Sequence, residues 1–175
     1  MTRQDILEKP VRSIYLGIGS NLGNKLSNIE NAKNLILKNN IYIEDCSSFY
    51  ETPSWPNNKF PNFLNIVIKI NTDLSITNLF KIVKNIEKKI GRKKSLRNYP
   101  RVCDIDIIDF KGLLIKTHLN EHKIESPHPR IESRNFVIFP LFELNKNWIH
   151  PKTKASISSI INQFSIKDFS DIRIV

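Results

Sequence analysis

The order in which two hydrophobic periods alternate constrains this chain's fold more than any single motif. Residues 14–18 alternate and are rich in strand formers. Gly17, Gly19, Asn21 and Gly23 then supply turn residues. From residue 24 to residue 38, Leu26, Ile29, Ala32, Leu35 and Ile36 fall on one helical face. Residues 41–51 read as a second strand, ended by Thr52-Pro53, and Asn57-Asn58 begin a polar connection. Residues 63–70 read as a third strand. Ser75 suits the cap of a second helix striped by Leu79, Ile82, Val83, Ile86 and Ile90, and Gly91 suits its end. Residues 93–99 show no period and read as an exposed basic loop, after which residues 102–110 return to strand. The order β-α-β-β-α-β predicts an α+β fold with a ferredoxin-like core, an antiparallel sheet with helices packed on it. Residues 130–164 predict one or two additional C-terminal helices.

A chain of 175 residues is long enough for one buried core, and no repeat or linker divides it. Residues 1–11 read as an N-terminal tail and residues 12–175 as one domain. No apolar run reaches the roughly 18–20 residues a membrane span needs. The first ten residues hold no apolar signal core, so a cytoplasmic, soluble protein is expected. Cys46 and Cys103 make neither a CxxC motif nor a zinc spacing, and reduced thiols are expected. The net charge of +10 favours a polyanionic partner. Charge alone does not choose among nucleic acid, acidic lipid and a phosphorylated small molecule.

The chemistry concentrates near residues 100–108. On a strand, Asp104 and Asp106 project to one side while Cys103, Ile105 and Ile107 point to the other. Two carboxylates roughly 7 Å apart at their Cα atoms can converge on hard cations. By itself the pattern is also that of a solvated strand face. The basic segment Lys88, Lys89, Arg92, Lys93, Lys94, Arg97 and Arg101 runs into that strand. Cations beside two carboxylates make sense where magnesium and a polyphosphate lie between them. Further on, Pro127-His128-Pro129-Arg130 is followed by Arg134-Asn135-Phe136, which offers His128 and two arginines to an anion. The chain has no GxxxxGK[ST] loop and no protein-kinase signature.

Five short segments, in order, resemble the 6-hydroxymethyl-7,8-dihydropterin pyrophosphokinase family. They are Gly17-Ile18-Gly19-Ser20-Asn21-Leu22-Gly23, Ser48-Phe49-Tyr50-Glu51-Thr52-Pro53, Phe63-Leu64-Asn65, Pro100-Arg101-Val102-Cys103-Asp104-Ile105-Asp106, and Pro127-His128-Pro129-Arg130 with Arg134-Asn135-Phe136. The resemblance implies transfer of the diphosphate of Mg-ATP to the pterin's hydroxymethyl oxygen, with release of AMP, in folate biosynthesis. It implies that Asp104 and Asp106 bind a pair of Mg²⁺ ions. Arg92 and Arg101 match the mobile-loop arginines of catalysis. Glu87, His128 and Arg134 match positions around ATP, the co-substrate, together with those two arginines. Thr52, Pro53, Asn65 and Phe136 match positions lining the pterin pocket, Phe63 stands where an aromatic is usual, and Trp55 falls in the same stretch. Two departures stand out. Asn98 and Tyr99 replace a tryptophan and a glycine that many members carry, and Ser54-Trp55-Pro56 has proline where glycine is common.

The residue types suit these roles. A flat pterin can be stacked by Phe136, and Asn65 offers both a donor and an acceptor to an amide edge. The expected partners are therefore ATP and the pterin, acting on a monomer, with neither nucleic acid nor membrane involved. One alternative is a basic RNA-binding module, which shares the element order. Its paired aromatics are not found on the first and third strands. Another alternative is an inactive relative acting as a scaffold.

Overall fold

Strand β1 (Ile14–Ser20) carries its alternation through both early glycines, which are strand residues rather than the turn residues expected. The reason lies on the neighbouring strands. A Cβ on Gly17 would sit 3.2 Å from Ile108 Cδ1, and one on Gly19 would sit 2.8 Å from Asn65 Oδ1. The turn itself comes later, with Gly23 at φ +63°. The computed structural model describes residues 13–93 and 99–175. The expected tail at 1–11 and the centre of the basic loop, 94–98, lie outside the described residues.

Helix α1 (Lys25–Lys38) begins at Asn24, whose side chain accepts from the Ser27 amide. It buries Ile29, Ala32 and Ile36, while Leu26, expected in the stripe, is exposed. The expected second strand is two strands, β2 (Tyr42–Cys46) and β3 (Tyr50–Thr52). Both pair antiparallel with β4 (Phe63–Asn71). Between them Ser47 turns inward: its amide donates to Val67 O at 3.0 Å, and its hydroxyl accepts the Val67 amide at 3.0 Å. A register shift between Ile43 and Asp45 precedes that break.

Helix α2 (Ile76–Ile90) starts at Ser75 and ends at Gly91, whose φ of +107° favours glycine. Leu79, Val83 and Ile86 are fully buried, a burial that stabilises by roughly 1.5–3 kcal/mol per side chain. β5 (Asp104–Phe110) follows the basic loop. A hairpin of β6 (Ile115–Leu119) and β7 (His122–Ser126), not anticipated, comes next. Among the described residues three further helices complete the chain: α3 (Asn135–Leu144), α4 (Ile157–Ile161) and α5 (Ile166–Ser170). The short strand β8 (Arg173–Ile174) then pairs with β3.

The sheet order β5-β1-β4-β3-β8, with β2 also on β4, contains the ferredoxin-like arrangement. One face packs Ile14, Leu16, Ile18, Ile66, Ile68 and Ile105 against α1 and α2. The other face packs Tyr15, Val67 and Ile108 against Val137, Ile138 and Leu141 of α3 and Ile157 and Ile160 of α4. Asp104 and Asp106 alternate with residues of the first core and so stand on the second face.

Candidate active site

The register builds the site from the sheet outward. Asp104, Gly19, Asn65 and Tyr50 form one cross-strand row, and Asp106, Gly17 and Val67 form the next. The glycines keep the surface low between the β5 carboxylates and Asn65. Asn65 is buried and donates from Nδ2 to Thr52 Oγ1 at 3.1 Å. The Phe63 ring approaches the same glycine, 3.5 Å from where a Cβ would stand. Thr52, Phe63 and Asn65 are therefore one group.

The charged residues converge at the other end of the rows. Arg92 Nη1 donates to Asp104 Oδ1 at 2.6 Å, and Arg101 Nη1 to Asp104 Oδ2 at 2.9 Å. Arg134 Nη1 donates to Asp106 Oδ2 at 2.8 Å, and His128 Nε2 lies 3.9 Å from that oxygen. These contacts unite the end of α2, the entry to β5, the loop after β7 and the start of α3. His128 is seated by its own backbone, whose amide donates to Ile108 O at 2.8 Å.

Glu87 lies beneath this cluster, buried at the end of α2. Its Oε1 accepts from the Ile105 amide at 2.7 Å and from Lys84 Nζ at 2.8 Å, and it lies 2.6 Å from Arg92 Nη1. Phe136 begins α3 with the Arg134 guanidinium 5.5 Å from its ring centroid. Trp55 is exposed and stands apart from these contacts, and Pro53 lines a shallow cavity at the sheet edge with Glu51, Asn62 and Arg173.

Burial would raise the Asp106 pKa, but Arg134, His128 and Lys84 lower it to about 2. Burial and the Arg134 charge push His128 down to about 4 despite Asp106, so its imidazole is neutral at neutral pH. Its Nδ1 accepts the Arg130 amide at 3.1 Å, which leaves the proton on Nε2, facing the cluster. Burial raises the Glu87 carboxyl above its ordinary value, with Asp104 adding to the rise and Lys84 and Arg92 opposing it. Arg92 is raised as well: burial works against its charge, but Asp104 and Glu87 outweigh it.

Among the described residues no three His, Cys, Asp or Glu side chains converge as a cation cage. Asp104 and Asp106 nonetheless fit magnesium. They offer hard oxygen donors from one face, and one or two carboxylates suffice where water and phosphate fill the remaining positions. Two residues of the cluster escaped the sequence reading. Lys84 is one, and its i,i+3 spacing from Glu87 was the available signal. The other is Asn21 in its role as an Arg101 partner, since it reads locally only as a structural turn residue.

The ferredoxin-like sheet thus carries two arginine-paired carboxylates on one face, a charge arrangement suited to a phosphate-bearing ligand. The family model for 7,8-dihydro-6-hydroxymethylpterin-pyrophosphokinase (HPPK) matches residues 15–146, and the chain belongs to that family, whose members are ATP-dependent pyrophosphokinases. The 2-amino-4-hydroxy-6-hydroxymethyldihydropteridine pyrophosphokinase of Aquifex aeolicus is 36% identical over 157 residues, covering 90% of this chain and 95% of that protein. The folic acid synthesis protein FOL1 of Dictyostelium discoideum is 41% identical over 138 residues, which are 79% of this chain but 20% of that protein. A solved Plasmodium falciparum HPPK-DHPS chain superposes with a TM-score of 0.73 at 13% identity, covering 93% of this chain and 48% of that one. That likeness is one of fold. Among the described residues no helix is long and apolar enough to cross a membrane.

Proposed function

We propose that residues 12–175 transfer the diphosphate of Mg-ATP to the hydroxymethyl oxygen of 6-hydroxymethyl-7,8-dihydropterin, giving the pterin diphosphate and AMP in folate biosynthesis. Family membership favours this reading over an RNA-binding module. The observation that carries it is the convergence of Arg92, Arg101, Arg134 and His128 on Asp104 and Asp106. In this reading the protein is a cytoplasmic monomer.

Asp104 and Asp106 would hold magnesium, two ions in this proposal. When bound, magnesium neutralises phosphate charge and lowers the pKa of the attacking hydroxyl. Arg92 and Arg101 turn from the carboxylate to the phosphates and meet the charge that develops on the transferred group. Arg134 binds a phosphate oxygen, and neutral His128 donates from Nε2 to another. Glu87 acts through Arg92, which it holds from below. On the pterin side Asn65 presents its amide beside Thr52, Phe136 stacks on the ring and Phe63 closes the rim, while Pro53 and Trp55, which stand apart here, would have to move in to reach the pterin.

The test is AMP release with and without the pterin. Asp104→Ala or Asp106→Ala should abolish turnover, and Arg101→Ala should lower kcat more than it weakens binding. Near-normal turnover in either aspartate variant would remove the metal assignment. AMP release that ignores the pterin would remove the acceptor assignment.

A further inference from the structure

We propose that Asn21 is a positioning residue that ties Arg101 to the loop on the pterin side, so that one buried amide sets both halves of the site. The proposal rests on the reading that Arg101 serves the phosphates. Asn21 follows β1 directly and is 1% exposed. Its side-chain Oδ1 accepts the Arg101 backbone amide at 2.7 Å, and its backbone amide donates to Arg101 O at 3.1 Å. This closed pair fixes the Arg101 backbone. From there the side chain reaches Tyr99 O through Nε at 3.2 Å and Asp104 through Nη1.

The other end of the Asn21 amide points the opposite way. Nδ2 donates to Pro61 O at 3.1 Å, two residues before Phe63. The same two segments touch a second time, where the Phe60 and Tyr99 rings lie 5.5 Å apart. Only a side chain that accepts on one atom and donates on the other can make both bonds at once. An ionised aspartate could keep the first and would lose the second. The turn that carries Asn21 is itself held, because Asn28 Nδ2 donates to Ser20 Oγ at 3.1 Å and Leu22 O at 2.8 Å.

Steady-state kinetics on Asn21→Ala, Asn21→Asp, Arg101→Ala and the Asn21→Ala/Arg101→Ala double variant test the proposal. Asn21→Ala should lower kcat about tenfold, the effect of one lost buried hydrogen bond. The double variant should be no more than about twofold slower than Arg101→Ala, because the two residues act as one unit. Asn21→Asp should keep most of kcat and raise the pterin KM severalfold, since only the bond to Pro61 is lost. This variant carries the test if the alanine variant does not fold. A parent-like kcat in Asn21→Ala, multiplicative losses in the double variant, or a parent-like pterin KM in Asn21→Asp would overturn the proposal. Hydrogen exchange at the Arg101 amide separates it from the reading of Arg101. Exchange should quicken in Asn21→Ala even if Arg101→Ala proves kinetically silent, and unchanged exchange would overturn the tie.

Discussion

Gly19 shows how one missing side chain can shape the surface between two strands. It stands between Asp104 on one neighbouring strand and Asn65 on the other. A methyl group there would press on Asn65 Oδ1, an approach of 2.8 Å with a buried amide that cannot simply swing away. Gly19→Ala should therefore raise the pterin KM about tenfold, an order set by displacing one buried polar contact, while leaving the fold intact. Kinetics paired with a thermal melt check this, and an unchanged KM would show that Asn65 does not face the acceptor. The sequence reading found Asp104 and Asp106 on one side because a strand's period of two is local information. Gly17 and Gly19 look like turn residues locally because the need for glycine comes from Ile108 and Asn65, far away along the chain. Asn21 was missed for a related reason: its partners Pro61 and Arg101 are distant in sequence.

At the level of elements, the first core was legible because α1, α2, β1, β4 and β5 each carry a clear period. The hairpin β6–β7 was not, since its strands are short and Ile124 is their only fully buried apolar side chain. The C-terminal layer is joined to the sheet by a buried polar contact that no periodicity announces. Trp148 Nε1 donates to Asp109 Oδ2 at 2.8 Å, and the Gly112 amide donates to Asp109 Oδ1 at 2.9 Å. Asp109→Ala would leave the indole N–H buried without its acceptor, at a cost of about 1–3 kcal/mol. Urea unfolding should show a lower midpoint with an unchanged slope. An unchanged midpoint would mean that hydrophobic packing alone seats the layer.

The whole molecule is three layers with a titratable group locked into the outer one. His150 is buried, and its Nδ1 accepts the amides of Lys152 at 3.2 Å and Thr153 at 3.0 Å. Burial first, and the Lys152 and Lys154 charges after it, lower its pKa below the ordinary 6.5, although Glu132 and Asp109 pull the other way. The unfolded chain therefore takes up this proton at higher pH than the folded chain. Its contribution to stability is complete above the unfolded pKa and is lost as pH falls through it toward the folded value. Melting temperature should drop as pH falls below about 6.5, the ordinary imidazole value. His150→Asn, which keeps an acceptor that does not titrate, should show a shallower drop. An identical slope in that variant would assign the acid sensitivity elsewhere.

The arginine pairs on Asp104 and Asp106 also bear on how the proposed metal would arrive. Each carboxylate already has a guanidinium counter-ion, and Lys84, Arg92, Arg101 and Arg134 together outnumber Glu87, Asp104 and Asp106. A divalent cation entering alone would strand the displaced arginines in an over-positive cluster. A cation escorted by its own polyphosphate brings anions to receive them. In the proposed reaction the cluster would work as an ion exchanger, taking up metal and nucleotide together as a single salt.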